Sequence, residues 1–257
     1  MTDPLYIIYT SGSTGNPKGV MTSHLSLMTY INAYCDVMHI EESDVLGNQS
    51  PLDYIAAIRD IYLPLKTGCS TAIIPKEYLW SRNALFDYMN DKKVSSVGWS
   101  VSAFTILTSL GAFEEVGLKS LRKNLLLRLS NAMQGCSAKW QENLPEAHFV
   151  NQYGPTEATA SCTYYSVDHT VEDDEVLPIG KAYDNYRVFL IDEHGNEPAV
   201  GKQGEICVCG PILALGYYND PERTAAAFTL NPLNRAYPER MYRTGDYGRL
   251  DEDGILH

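Results

Sequence analysis

Apolar and polar positions follow two rhythms along the first 110 residues. Short apolar runs at Leu5–Tyr9, Thr71–Pro75 and Ser95–Trp99 have the length of buried strands. Amphipathic stretches separate them, and their spacing predicts helices over His24–Val37, Ala56–Leu63, Asn83–Asp91 and Ala103–Leu110. In the first helix Leu25, Met28, Ile31 and Cys35 share one face and read as core. The second is expected to break at Pro64 and finish at Gly68. Leu125–Ser130 and His148–Asn151 predict two further buried strands, the second leading into Tyr153. Asp168–Glu175 is acidic and reads as a solvated loop. From about residue 180 the texture changes to short strands and glycine turns: Tyr186–Asp192, a turn at Glu193–Asn196, then Glu205–Cys209. The pattern is that of an α/β layer followed by a β-rich segment.

Composition narrows the function classes. With 257 residues, 44% of them hydrophobic and 20% charged, the chain can bury one large core or two smaller ones. Its net charge of −12 argues against nucleic acid as a partner. No run approaches the roughly 18 apolar residues of a membrane span, and no basic-then-apolar leader opens the chain, so a cytoplasmic protein is expected. Six cysteines include no Cys-x-x-Cys pair and no Cys/His cluster. Cys207 and Cys209 lie two apart in a strand-like run and read as reduced core thiols, and none of the six histidines is assigned a catalytic role.

The candidate chemistry begins where the first strand ends. Tyr9-Thr-Ser-Gly-Ser-Thr-Gly-Asn-Pro-Lys-Gly-Val20 joins glycines, hydroxyls and one lysine. Glycines let backbone N–H groups converge on an anion, hydroxyls add donors, and a lysine supplies a point charge for phosphate. The stretch is not the common P-loop, because Gly12 is followed by Gly15 and by Pro17-Lys18 rather than by Gly-Lys-Ser/Thr.

Three more blocks follow in order: Asn151-Gln-Tyr-Gly-Pro-Thr-Glu-Ala-Thr159, then Gly204–Gly210 with Gly216–Thr224, then Tyr242-Arg-Thr-Gly-Asp246. Together the blocks resemble the acyl-adenylate-forming (AMP-binding) superfamily, closest to the adenylation domains of nonribosomal peptide synthetases. The resemblance implies a layered αβαβα core followed by the start of a small β-barrel subdomain. It assigns residues 1–180 to part of an α/β nucleotide- and acid-binding subdomain and residues 181–257 to part of the barrel. It also implies a central portion of such a domain, without the family's N-terminal segment and without the C-terminal lid domain and its lysine.

By the same resemblance the reaction would be ATP-dependent activation of a carboxylic acid, an amino acid or a related acid, as an acyl-adenylate. The acyl group would pass to the phosphopantetheine thiol of a carrier protein or to CoA. Thr10, Ser11, Gly12, Ser13, Thr14, Gly15 and Lys18 would hold the β- and γ-phosphates, and Thr156 would contact the α-phosphate. Glu157 would bind Mg²⁺, a hard cation suited to carboxylate oxygen. Tyr153, beside Gly154, would offer its face to adenine, with Asn151 near the exocyclic amine. Asp246 would accept from both ribose hydroxyls. Lys18, Thr156 and Glu157 are the catalytic candidates. The alternative from another class is a nucleotide-binding remnant that does not turn over.

The acid pocket departs from the pattern. Amino-acid-activating relatives place an aspartate after an aromatic residue to hold the substrate ammonium, and here the pair falls on Tyr54-Ile55. The alignment lines the pocket with Ile55, Ala56, Arg59, Gly98, Leu129, Asn131, Gln152, Ala160 and Ser161. Isoleucine cannot accept from an ammonium, which leaves three readings. The substrate lacks a free α-amine or carries an acidic group for Arg59; or Asp53 takes the ammonium; or Arg59 pairs with a neighbouring carboxylate and says nothing of substrate.

Overall fold

The computed structural model describes residues 1–11, 16–128, 137–172 and 175–257. Its strands are β1 (Pro4–Thr10), β2 (Lys18–Ser23), β3 (Val45–Asn48), β4 (Ser70–Ile73), β5 (Ser96–Val97), β6 (Lys123–Arg128), β7 (Phe149–Tyr153), β8 (Thr163–Val167), β9 (Lys181–Ala182), β10 (Arg187–Ile191), β11 (Gln203–Cys209), β12 (Gly216–Tyr217), β13 (Phe228–Leu230) and β14 (Arg240–Arg249). The helices are α1 (His24–Met38), α2 (Ile55–Thr67), α3 (Arg82–Asp91), α4 (Val101–Ser109), α5 (Ser137–Asn143) and α6 (Pro221–Ala227).

Contacts gather these elements into two compact, discontinuous units: Met1–Tyr34, Tyr153–Tyr164 and Pro178–His257 in one, Cys35–Gln152 and Tyr165–Leu177 in the other. Met1–Tyr34 joins Pro178–His257 because β12 pairs antiparallel with β2, Gly216 opposite Met21 and Tyr217 opposite Val20. Such long-range pairing leaves no mark in local periodicity.

The second unit is built on parallel strands in the order β4-β3-β5-β6-β7. Its core gathers Leu85, Phe86, Trp99, Phe104, Trp140 and Phe149. Trp140 meets Phe104 and Phe113 edge-on, each at 4.8 Å between ring centroids, and its indole N–H donates to Thr108 Oγ1 at 2.9 Å. The amphipathic ring is therefore buried with its one donor satisfied.

Helix α2 does not stop at Pro64. A proline inside a helix leaves the carbonyl four residues earlier without its N–H. Here that carbonyl, on Asp60, accepts instead from Thr71 Oγ1 at 2.6 Å, so the helix continues to Thr67. Gly68 then caps it at φ 79°, its N–H donating to Pro64 O at 2.9 Å. Helix α1 opens on the Ser23 hydroxyl, which accepts from Ser26 N at 3.0 Å. Its buried face differs from the expected stripe: Leu27, Tyr30, Ile31, Tyr34 and Cys35 are buried, while Met28 is 49% exposed. The two tyrosines carry the face, a choice that an aliphatic stripe does not reveal.

The first unit holds two antiparallel sheets, β1-β2-β12 and β10-β11-β14-β13, and the antiparallel pairing of Thr163 and Tyr164 with β9. Cys207 and Cys209 lie in its core with Ile191 and Met241, as their shared strand face predicts. Burial pushes both thiols up to about 12. Helix α6 has a legible start in Asp220-Pro221-Glu222: the Asp220 carboxylate accepts from Arg223 N at 3.0 Å, with proline in the first turn. The β-texture around it hid that helix from the sequence reading.

Candidate functional site

The glycine-rich loop is closed by a hairpin. Strands β1 and β2 pair antiparallel with Thr10 opposite Lys18, so the ends of the loop meet. Ser11 follows β1 and is exposed. Gly12, Ser13, Thr14 and Gly15 lie outside the described residues.

Strand β7 ends at Tyr153, and Gly154 and Pro155 lead into a single 3₁₀ turn, Thr156–Ala158. Gly154 is required there: a Cβ would stand 2.4 Å from the Ser161 Cα and 2.7 Å from the Cys162 nitrogen. The chain returns through Thr159 and Ala160 at φ 47° and 76°, a left-handed pair without glycine. The Thr159 hydroxyl donates to Ile212 O at 2.7 Å, and Ala214 N donates to Glu157 O at 2.8 Å. A strained turn held on both sides keeps Thr156 and Glu157 buried in fixed places.

Lys18 and Glu157, singled out separately in the sequence, meet. Lys18 Nζ donates to Glu157 Oε1 at 2.5 Å and to the Tyr217 hydroxyl at 3.2 Å, and that hydroxyl donates to the same Oε1 at 2.8 Å. Burial pulls the Lys18 ammonium down, but the Glu157 bond and charge, with Tyr217, outweigh it and hold the group above the ordinary lysine value. Burial and then the Glu157 charge push the Tyr217 phenol up. The same two causes, in that order, push Tyr242 well up. A carboxylate only 3% exposed thus faces one ammonium and phenols that stay protonated.

Asp246 protrudes from a bulge. In the β11-β14 ladder Glu205 opposes Tyr247 and Cys207 opposes Arg243, so three residues, Thr244-Gly245-Asp246, stand against Ile206 alone. Gly245, at φ 77°, permits the turn. Asp246 Oδ2 accepts from the Tyr153 hydroxyl at 2.6 Å, joining two of the sequence candidates for adenosine contact. Burial, and then that bond, raise the Tyr153 phenol. Asn151 is fully buried in β7.

The acid-pocket candidates divide between the units. Ile55, Ala56, Arg59, Gly98 and Gln152 belong to one, Ala160 and Ser161 to the other; Leu129 and Asn131 lie outside the described residues. Ile55 is buried at the start of α2. Arg59 Nε donates to Asp60 Oδ1 at 2.6 Å, and Nη2 donates to Oδ2 at 2.8 Å and to Gly98 O at 3.3 Å. Gly98 makes room for that guanidinium, since a Cβ would stand 1.9 Å from Nη1. The Arg59 charge is matched by Asp60, the pairing that the third reading names. Asp53 is exposed, bordering a cavity of about 490 Å³ with Asn48, Leu52, Ile73 and Lys76. The Gln152 amide donates to Met38 Sδ at 3.6 Å.

Sequence reasoning quoted the blocks that hold Tyr217, Glu205 and Tyr242 but gave those residues no role. Their position inside ordered motifs was the available signal. A polar cavity of about 410 Å³ brings Lys18, Glu205, Tyr217, Tyr242 and Arg243 to one surface of the first unit.

Among the described residues no group of three or more His, Cys, Asp or Glu could hold a metal ion. Glu157 nonetheless suits a nucleotide-borne Mg²⁺, which takes one or two carboxylates and completes its shell with phosphate and water. Its carboxylate already accepts one cation, the Lys18 ammonium.

The chain is similar to known proteins. The chain is 33% identical over 254 residues to bacitracin synthase 1 of Bacillus licheniformis, covering 99% of this chain and 5% of that protein. It is 32% identical over 257 residues to the D-alanine–D-alanyl carrier protein ligase of Lacticaseibacillus casei (strain BL23), covering 99% of this chain and 49% of that one. It therefore spans half or less of these relatives' length. Among solved structures, the nonribosomal peptide synthetase FmoA3 with alpha-methyl-L-serine-AMP bound superposes with a TM-score of 0.89 at 28% identity, over 100% of this chain and 28% of that one. The AMPPNP-bound form of the same synthetase gives a TM-score of 0.87. The mixed helix-and-strand architecture is thus that of an adenylation domain, as the sequence blocks imply. Residues 1–218 match the model of the AMP-binding enzyme family, and the chain belongs to that family.

Proposed function

We propose that this chain carries the nucleotide-binding part of an enzyme that activates a carboxylic acid as its acyl-adenylate, using ATP and Mg²⁺, and passes the acyl group to a thiol. The observation that carries the reading is the Lys18–Glu157–Tyr217 cluster in the same unit as the Tyr153–Asp246 pair. Adenylation brings a carboxylate to the α-phosphorus of ATP and expels pyrophosphate, so its barrier is mainly one of neutralising charge. Lys18, beside Thr10 and Ser11, offers a cation to the outer phosphates. Thr156 stands next to Glu157 for the α-phosphate. Glu157 would hold the Mg²⁺, which when bound would supply positive charge against the phosphates. Tyr153 and Asp246 orient adenine and ribose.

The relatives named above are a peptide synthase and a carrier-protein ligase. They favour a carrier-protein phosphopantetheine thiol over CoA as acceptor. The Arg59–Asp60 pair weighs against an acidic substrate side group, and buried Ile55 offers no acceptor to an α-ammonium. We assign the substrate to the carboxylic acids without a free α-amine. The test is acid-dependent ATP–pyrophosphate exchange by the full-length protein, against panels of α-amino acids and plain carboxylic acids. Exchange with the plain acids alone is expected. Exchange with α-amino acids would return the ammonium to Asp53. Silence in both panels from folded protein would make the chain a nucleotide-binding remnant.

A further inference from the structure

The Gly204–Gly210 block has no part in the chemistry above, yet it holds one side chain that is hard to explain as core. Glu205 is only 6% exposed in the middle of β11. Its two oxygens serve different donors. Oε1 accepts from the Gly245 backbone N–H at 3.1 Å, and Oε2 accepts from Arg243, with Nε at 2.9 Å and a second, shorter bond from Nη2. The next residue adds a third anchor, since Ile206 O accepts from the Thr244 hydroxyl at 2.8 Å, and that hydroxyl accepts from Asp246 N at 3.0 Å. These contacts fall on the three-residue bulge and on its first neighbour, Arg243.

A bulge has lost its ladder hydrogen bonds, so its shape must be held by other means. We infer that Glu205 is a positioning residue for ribose recognition: its carboxylate pins Arg243 and Gly245 so that the Asp246 carboxylate stands where a nucleotide's hydroxyls can reach it. The inference rests on the ribose role of Asp246 proposed above. The carboxylate is required rather than merely an acceptor. Glutamine has one acceptor oxygen for the two donors, and its amide would confront an N–H with another N–H.

The experiment compares binding of AMP and 2′,3′-dideoxy-AMP to the chain and to its Glu205→Gln and Glu205→Asp variants by calorimetry. The wild-type chain is expected to prefer AMP by at least about tenfold, the worth of one hydrogen bond to a charged group. In Glu205→Gln that preference should fall to within about threefold, with the affinity for dideoxy-AMP unchanged. Retained dideoxy-AMP affinity reports an intact fold and adenine site, and Glu205→Asp should restore part of the preference. Full discrimination in Glu205→Gln would overturn the inference, as would an equal loss of both nucleotides, which marks a purely structural carboxylate. A wild-type chain that binds both nucleotides equally would remove Asp246 from the ribose, and the inference with it. Discrimination in the wild type that persists in the variant leaves the proposed function standing and removes only Glu205.

Discussion

Glu157 is buried, and a buried carboxylate needs a cation or several donors. Lys18 and Tyr217 provide them within 2.8 Å of one oxygen. Removing the ammonium leaves the buried carboxylate without that cation, so Lys18→Met should destabilise the chain by about 1–3 kcal/mol. Urea unfolding reads this directly, and an unchanged midpoint would show the pair to be unimportant for stability. The pH dependence has a defined sign. The folded Lys18 value is raised above the ordinary 10.5, so its contribution is complete below that value and is lost as pH rises through the folded one. The gap between wild type and Lys18→Met should therefore be constant at pH 8–9 and close above about pH 10.5. Both residues were legible in the sequence because each stands in a dense motif. Their contact was not, because 139 residues separate them. Arg59 shows the opposite case: its sequence neighbour Asp60 was the partner, but only side-chain direction could show it.

Strands and helices were read mostly from periodicity, and the departures have local causes. Helix α2 runs through Pro64 because Thr71 supplies the missing donor to the Asp60 carbonyl. Thr71→Val should lower stability by about 1–2 kcal/mol, seen as a lower midpoint in thermal unfolding. A wild-type midpoint would mean that water serves the carbonyl equally well. Strand β11 gives a second prediction. Its thiols at Cys207 and Cys209 are raised to about 12, so alkylation at pH 8 should spare both in the folded chain and label both in urea. Their stabilising contribution is present below the unfolded thiol value of about 9 and fades as pH rises towards 12. The hidden helix α6 and the bulge in β14 both sit in a stretch whose texture reads as plain β. A two-residue excess in one strand is invisible until its partner strand is known.

The whole chain tests the nucleotide reading through linkage. A ligand that binds only the folded state at a hundredfold its dissociation constant stabilises by about 2.7 kcal/mol. AMP at that excess should raise the melting midpoint of the wild-type chain, and Asp246→Ala at the same AMP concentration should lose most of the rise. An equal rise in both would place AMP elsewhere.

The sequence by itself determined the family, the order of the blocks and most of the strands and helices of the α/β part. Those depend on local residue chemistry: dense glycine and hydroxyl motifs, and periodic apolar faces. The tertiary structure alone decided that Met1–Tyr34 belongs with Pro178–His257, that Lys18 is paired with Glu157, that Arg59 is neutralised by Asp60, and that Asp246 rides on a bulge clamped by Glu205. The physical reason is the same for each. Strand register, ion-pair partners and bulges are set by which backbone or charge arrives from another part of the chain, and no local window of sequence contains that information.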